Sequence, residues 1–324
     1  MNKDMRKFLA NLLLITVAIV LVLLAMPVSG IFIIGCQNEK EDNYNASLID
    51  KVERLKSINV PKIILVGNSN LAFGMDSEML EEAVNMPVVN LGLHGGLGNA
   101  FHENIAKLNI NSGDIIIVCH TTYSDDNRIN DVELCWHTLE YHKDLWEILD
   151  PEDYFDVAIA FPKYWRKSFQ KAIKHTNSPY KAEISSYSRK AFNKYGDVVV
   201  KPDSGRKSEE RMFWPGHEKV PQVNDTCTNR LNKLNKYIKE KGVTLLIAGY
   251  PIAHGKYTPP DEEYEKFQTE LREKLDCVVI SDFKDYFMPY SFFYDGAPHL
   301  NKEGARLRTL QLIKDVKKWQ IDSK

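Results

Sequence analysis

An excess of charge of either sign is missing from this chain: 42 basic and 44 acidic side chains leave a formal net charge of −2. Nucleic-acid binding needs a basic face, so that class of partner is not expected. The five cysteines form no C-x-x-C and the nine histidines no His-Glu-x-x-His, which removes the common zinc signatures. The glycine run from Gly92 to Gly98 lacks both the G-x-G-x-x-G spacing and a following lysine-threonine pair, so it does not describe a phosphate cradle. No metal and no cofactor is expected. Internal repeats and low-complexity tracts are absent, and 17 glycines with 14 prolines are ordinary levels that exclude a fibrous or mostly disordered chain. What remains is a length of 324 residues, enough for one large domain or for one domain with a substantial insertion.

Charge is also missing from residues 8–26, which are almost wholly apolar, and Ile31 to Ile34 add more after Pro27 and Gly30. A spanning helix needs ~20 such residues, whereas a cleavable leader has an apolar core of roughly 7–15. No polar face interrupts the run, as an amphipathic core helix would require. Lys3, Arg6 and Lys7 precede it, which orients the amino terminus to the cytoplasm and the rest outward. Ile33-Ile34-Gly35-Cys36 also has the shape of a lipoprotein cleavage box, with Cys36 as the lipidated residue. Either route holds the protein at a membrane. Residues 1–36 are thus read as tip and transmembrane anchor, 37–60 as linker and leading helix, and 61–324 as the functional domain.

Within that domain short apolar runs alternate with helical patterns. Residues 62–66, 87–92, 115–119, 243–248 and 277–280 read as five strands, the most continuous being Ile63-Ile64-Leu65-Val66 and Ile115-Ile116-Ile117-Val118. Unbroken apolar runs of this length suit strands buried on both faces of a parallel sheet. Helical patterns cover 48–58, from about 77, 100–108, 228–241, 262–275 and 302–319. Together they predict a three-layer α/β/α fold with a five-stranded parallel sheet, flavodoxin-like in outline. The pattern lapses over about 120–225, a stretch too long for a simple loop. It reads as a mostly helical insertion, with helices at 133–149 and 162–174.

Two loops at the carboxyl edge of this sheet carry reactive side chains, and ligands of open α/β sheets bind at that edge. Gly67-Asn68-Ser69-Asn70 follows the first strand; Asp295-Gly296-Ala297-Pro298-His299-Leu300-Asn301 follows the last. A hydroxyl nucleophile needs a base within hydrogen-bond reach, and the base needs an orienting carboxylate. Ser69, His299 and Asp295 supply those types. The plainer account makes Gly-Asn-Ser-Asn an ordinary strand-to-helix turn and Asn301 the cap of the last helix.

These blocks, taken in order with the glycine loop after the second strand, resemble the GDSL/SGNH hydrolase superfamily. The likeness is to its membrane-anchored branch, associated with acylation or deacylation of surface polysaccharides, and it covers residues 61–119 and 243–319. It implies a serine esterase or acyltransferase without metal, acting on acyl esters, such as acetyl, of cell-surface glycans. Position by position, Ser69 matches the nucleophile, Gly92 the second-block oxyanion donor, and Asp295 and His299 the last block. Two departures stand out. Three residues rather than two separate Asp295 from His299, and no Asn follows the third strand, where the chain reads His120-Thr121-Thr122-Tyr123-Ser124. His120, Thr121 or Asn99 would have to donate to the oxyanion instead. One such donor is worth ~10²–10³ in turnover.

That gap keeps a second reading open: a non-catalytic glycan-binding or assembly partner of a membrane-bound O-acyltransferase. Trp136, Trp146, Trp165 and Trp214 in the insertion read as its own small core, with sugar stacking as the alternative. Cys119 and Cys277 fall on buried strands. Cys135 and Cys227 would be free to pair in an oxidising compartment if the fold brings them together.

Overall fold

The computed structural model describes residues 3–29, 44–124, 129, 131–139, 143–175, 185–201, 220–255, 258–295 and 299–323. Cys36, Trp214 and Gly296 to Pro298 lie outside them. Helix α1 (Lys3–Ser29) is apolar, and the side chains of Lys3–Val22 are unburied. After it come α2 (Ser47–Ser57), β1 (Ile63–Val66), α3 (Ser69–Gly74), α4 (Ser77–Val84), β2 (Val88–Asn90), α5 (Asn99–Ala106) and β3 (Ile115–Val118). The second half contributes α6 (Val132–Leu139), α7 (Asp153–His175), α8 (Asp225–Lys239), β4 (Thr244–Ile247), β5 (Ile252–His254), α9 (Asp261–Lys274), β6 (Val278–Val279), β7 (Phe287–Pro289) and α10 (Lys302–Asp322).

Five of these strands form one all-parallel sheet in the order β2-β1-β3-β4-β6. Ile63 stands beside Val88 on one side and Ile115 on the other, and Ile115 beside Thr244. Successive strand side chains point to opposite faces, and the two cores follow that alternation. Ile64, Val66, Ile116, Val118, Leu245 and Ile247 pack with Leu48, Val52, Phe101, Ile105, Leu231, Ile238, Phe267 and Leu271 of α2, α5, α8 and α9. Ile63, Leu65, Ile115, Ile117 and Leu246 pack with Leu80 of α4 and Leu312, Ile313 and Val316 of α10. Each fully buried aliphatic side chain contributes ~1.5–3 kcal/mol relative to exposure, so both faces must be covered for the sheet to hold. That is the three-layer arrangement the alternating pattern predicts.

The chain passes from β1 to β2 on one side, then back to β3 on the other. The crossovers therefore reverse between β1 and β3, and in open α/β sheets ligands bind outside the carboxyl ends of strands at such a switch point. The opposite end is closed by a buried ion pair: Lys62 Nζ meets Asp114 Oδ2 at 2.9 Å with neither side chain exposed. Asp114 also accepts the backbone N–H groups of Lys62 and Asn111, so the charge is fully partnered.

Several local features differ from the sequence expectation. The helix expected at 133–149 divides into α6 and a 3-10 turn, Lys143–Ile148, while α7 begins at Asp153 and runs through Pro162. A second, two-stranded parallel sheet pairs β5 with β7. In the insertion Trp136 packs on Trp146 and Phe161, each at 4.6 Å between ring centroids, and on Tyr164. Trp136 and Trp146 are partly buried against the main core on this face of the sheet and do not form the separate small core expected of the insertion. Cys135 and Cys227 are both buried and are not joined by a disulfide, and Arg230 donates to Cys227 Sγ at 3.6 Å. Burial pushes the Cys135 thiol up to about 12, which leaves it inert as a nucleophile.

Candidate active site

Ser69 is the first residue of α3, directly after β1. Asn68 caps that helix: its Oδ1 accepts the backbone N–H of Asn70 at 3.0 Å. The Asn68 Nδ2 in turn donates to Thr121 Oγ1 at 2.8 Å, tying the nucleophile turn to the end of β3. The first helical N–H groups have no intrahelical acceptor, and Ser69 is the first residue of this helix. From below, the fully buried Arg308 of α10 donates to Asn70 O and Asn70 Oδ1, both at 2.8 Å.

His299 arrives from the far end of the chain. Its loop is pinned on both arms by the bridge between Phe293 and Leu300, with Tyr294 N–H on His299 O and Asn301 N–H on Phe292 O, both at 2.8 Å. Asn301 also caps α10, accepting the Gly304 N–H. Held this way, His299 Nε2 lies 2.7 Å from Ser69 Oγ, and His299 Nδ1 lies 2.8 Å from Asp295 Oδ1. The imidazole stacks on Phe73 of α3, with centroids 4.3 Å apart and ring planes 15° apart. The side chains of His299 and Asp295 are 18% and 20% exposed, so both reach the surface. Burial alone would push the Asp295 carboxyl up, but hydrogen bonds from His299 and from Tyr187 overcome this and hold it below its ordinary value. Asp295 is therefore ionised at neutral pH, and the His299 proton belongs on Nδ1, leaving Nε2 to accept from the serine hydroxyl.

The remaining residues expected here occupy other places. The Gly92 N–H donates to Asn90 Oδ1 at 2.9 Å, and its α-carbon packs so tightly that a Cβ would lie 2.6 Å from Ala72 N. Gly92 serves close packing of the β2 loop on α3. The glycine of that loop beside the nucleophile turn is Gly95, exposed, with its Cβ position 3.6 Å from the Asn68 side chain. His120 is buried with Nε2 on Glu103 Oε1 at 2.8 Å, and Glu103 is clamped by Arg230. Burial holds the His120 ring below its usual basicity despite that carboxylate. Thr121 supports Asn68, and Asn99 Nδ2 donates to Thr122 O at 3.0 Å. Among the described residues no group of His, Cys, Asp and Glu is arranged to hold a metal ion.

Sequence reasoning missed Tyr187, whose hydroxyl donates to Asp295 Oδ2, and Phe73, the ring beneath His299. Neither carries a spacing signal: Tyr187 belongs to the insertion, and Phe73 reads as one more apolar helix residue. No protein family, no curated protein and no solved structure matches this chain.

Proposed function

We propose that this protein is a serine esterase or acyltransferase of the SGNH hydrolase kind, held at a membrane by α1 with its α/β domain outside the cytoplasm. Its substrates are acyl esters of cell-surface glycans, acetyl esters among them. The observation that carries the reading is the continuous chain Ser69 Oγ, His299 Nε2, His299 Nδ1, Asp295 Oδ1, with links of 2.7 and 2.8 Å. Ser69 attacks the acyl carbonyl while His299 takes the hydroxyl proton. Asp295 holds the imidazole in the useful tautomer and stabilises the imidazolium. The N–H groups of Ser69 and of the glycine loop at Gly95 offset the charge on the tetrahedral oxygen. His299 then returns the proton to the departing alcohol, leaving an acyl-Ser69 ester. Water or a sugar hydroxyl, deprotonated by His299, releases the acyl group.

A fluorophosphonate probe tests this directly: the full-length protein in membranes should be labelled, and Ser69→Ala should abolish the label. A second reading rests on His120 and Gly92, whose donors are already committed: a non-catalytic glycan-binding or assembly partner of a membrane-bound O-acyltransferase. Unlabelled wild-type protein, with normal glycan acylation in Ser69→Ala cells, would select it.

A further inference from the structure

The reaction just described uses one oxygen of Asp295. Oδ1 accepts the His299 Nδ1–H, and Oδ2 accepts the hydroxyl of Tyr187, whose oxygen also lies 3.3 Å from His299 Nδ1. Tyr187 comes from neither the sheet nor the His299 loop. It belongs to residues 185–201, which return from the insertion to the end of β2.

That strap is firmly seated. Asn90 N–H donates to Tyr195 O at 2.9 Å, and Val198 N–H to Ala72 O at 2.7 Å. The buried Asp197 carboxylate accepts Ser77 N–H, Ser77 Oγ–H and Asn90 Nδ2–H at 2.8, 2.6 and 2.7 Å. Gly196 has φ +99°, and a Cβ there would stand 2.2 Å from Asn90 O, so only glycine permits the approach. At the Tyr187 end the phenol ring rests on Phe73 and Tyr44, with centroids 5.4 and 5.9 Å apart.

We propose that Tyr187 is a positioning residue for His299, acting through Asp295, and that the insertion thereby completes the reaction centre. The inference rests on the esterase reading above. A carboxylate bonded through one oxygen turns about its terminal torsion, which is broad and soft. The Asp295 carboxylate also has a hydrogen bond from its own backbone, but that contact and the one from His299 both come from the same loop. A donor on Oδ2, carried by an independently anchored strap, removes the freedom and keeps Oδ1 aimed at Nδ1. The phenol transfers no proton: it donates to the carboxylate throughout, and the moving proton stays between Ser69 and His299.

The test uses full-length protein in detergent with p-nitrophenyl acetate as probe. Tyr187→Phe should lower kcat ~10-fold with KM within about twofold, since it disturbs alignment and touches no substrate. Asp295→Asn should lower kcat by ~10²–10⁴. Adding Tyr187→Phe to it should cost nothing further, because the two residues act as a unit. A merely structural tyrosine would instead give multiplicative losses in the double variant. A readout without turnover is the low-field proton resonance of the His299 Nδ1–Asp295 bond, which should broaden by exchange in Tyr187→Phe. An unchanged kcat, multiplicative losses, or a sharp, unshifted resonance in Tyr187→Phe overturns the inference. Protein that takes neither probe defeats the esterase reading instead, and the resonance still decides whether Tyr187 orders the pair.

Discussion

Lys51 is a cation almost without access to water, 2% exposed, with Nζ donating to Asn90 O at 2.9 Å and Gly196 O at 2.5 Å. It also lies over the Phe192 ring, 4.6 Å from its centroid. Burial lowers its pKa to about 7, although Asp197 and Asp50 pull the other way. Lys201, donating to Phe73 O, is lowered in the same direction, to about 8. The sign of the linkage follows. The unfolded chain keeps these protons to pH ~10.4, while the folded chain releases them three units or so earlier. Between those values the unfolded state binds more protons, so stability rises with pH through that window and is lowest below it. Urea midpoints measured from about pH 6.5 to 8 should climb, and Lys51→Met should flatten the climb by about one proton. Above pH ~8.5 the thiols of Cys119, Cys135 and Cys277, which burial keeps protonated in the folded chain, pull the other way. An unchanged slope in that variant would mean Lys51 stays charged when folded.

Among the elements, α3 bears Ser69, the proposed nucleophile, on only six residues, too few to be stable alone. Its position comes from its surroundings: Asn68 at its start, the Gly92 loop against its flank, and Arg308 beneath. Charge-assisted bonds such as the two from Arg308 to Asn70 are worth ~1.5–3 kcal/mol each, partly offset by the cost of burying the guanidinium. Arg308→Met should therefore lower unfolding stability by about 2–3 kcal/mol in chemical denaturation and slow probe labelling of Ser69. Arg308→Lys should restore neither, because an ammonium lacks the planar fork. This is also where sequence legibility divides. Strands such as Ile63-Ile64-Leu65-Val66 declare themselves because burial on both faces demands an unbroken apolar run. Ser69 stands out because it lies just after such a strand, and Asp295 and His299 because they lie together just before the last helix. Helix α3, the β5–β7 pair and the strap at 185–201 do not, being short and fixed by tertiary hydrogen bonds rather than by a repeating pattern. Gly92 illustrates the ambiguity: a glycine required for packing and a glycine donating to a reacting oxygen look alike in sequence.

For the whole molecule, the apolar α1 and the α/β domain make separate demands. A helix of 27 residues, with the side chains of Lys3–Val22 unburied, is long enough to cross a bilayer. The full-length protein should accordingly stay in the membrane fraction after alkaline carbonate washing, and removal of residues 1–36 should release a soluble domain that still takes the fluorophosphonate probe. Release by carbonate of a product shortened by the length of α1 would mark that helix as a cleaved leader instead.

Ser69 and His299 stand 230 residues apart along the chain yet share a hydrogen bond. The serine leaves the ribosome early and stays chemically ordinary until nearly the last helix has been made and docked. On the esterase reading proposed above, a nascent chain thus carries an unarmed hydroxyl, and any product truncated before that loop is harmless to nearby esters.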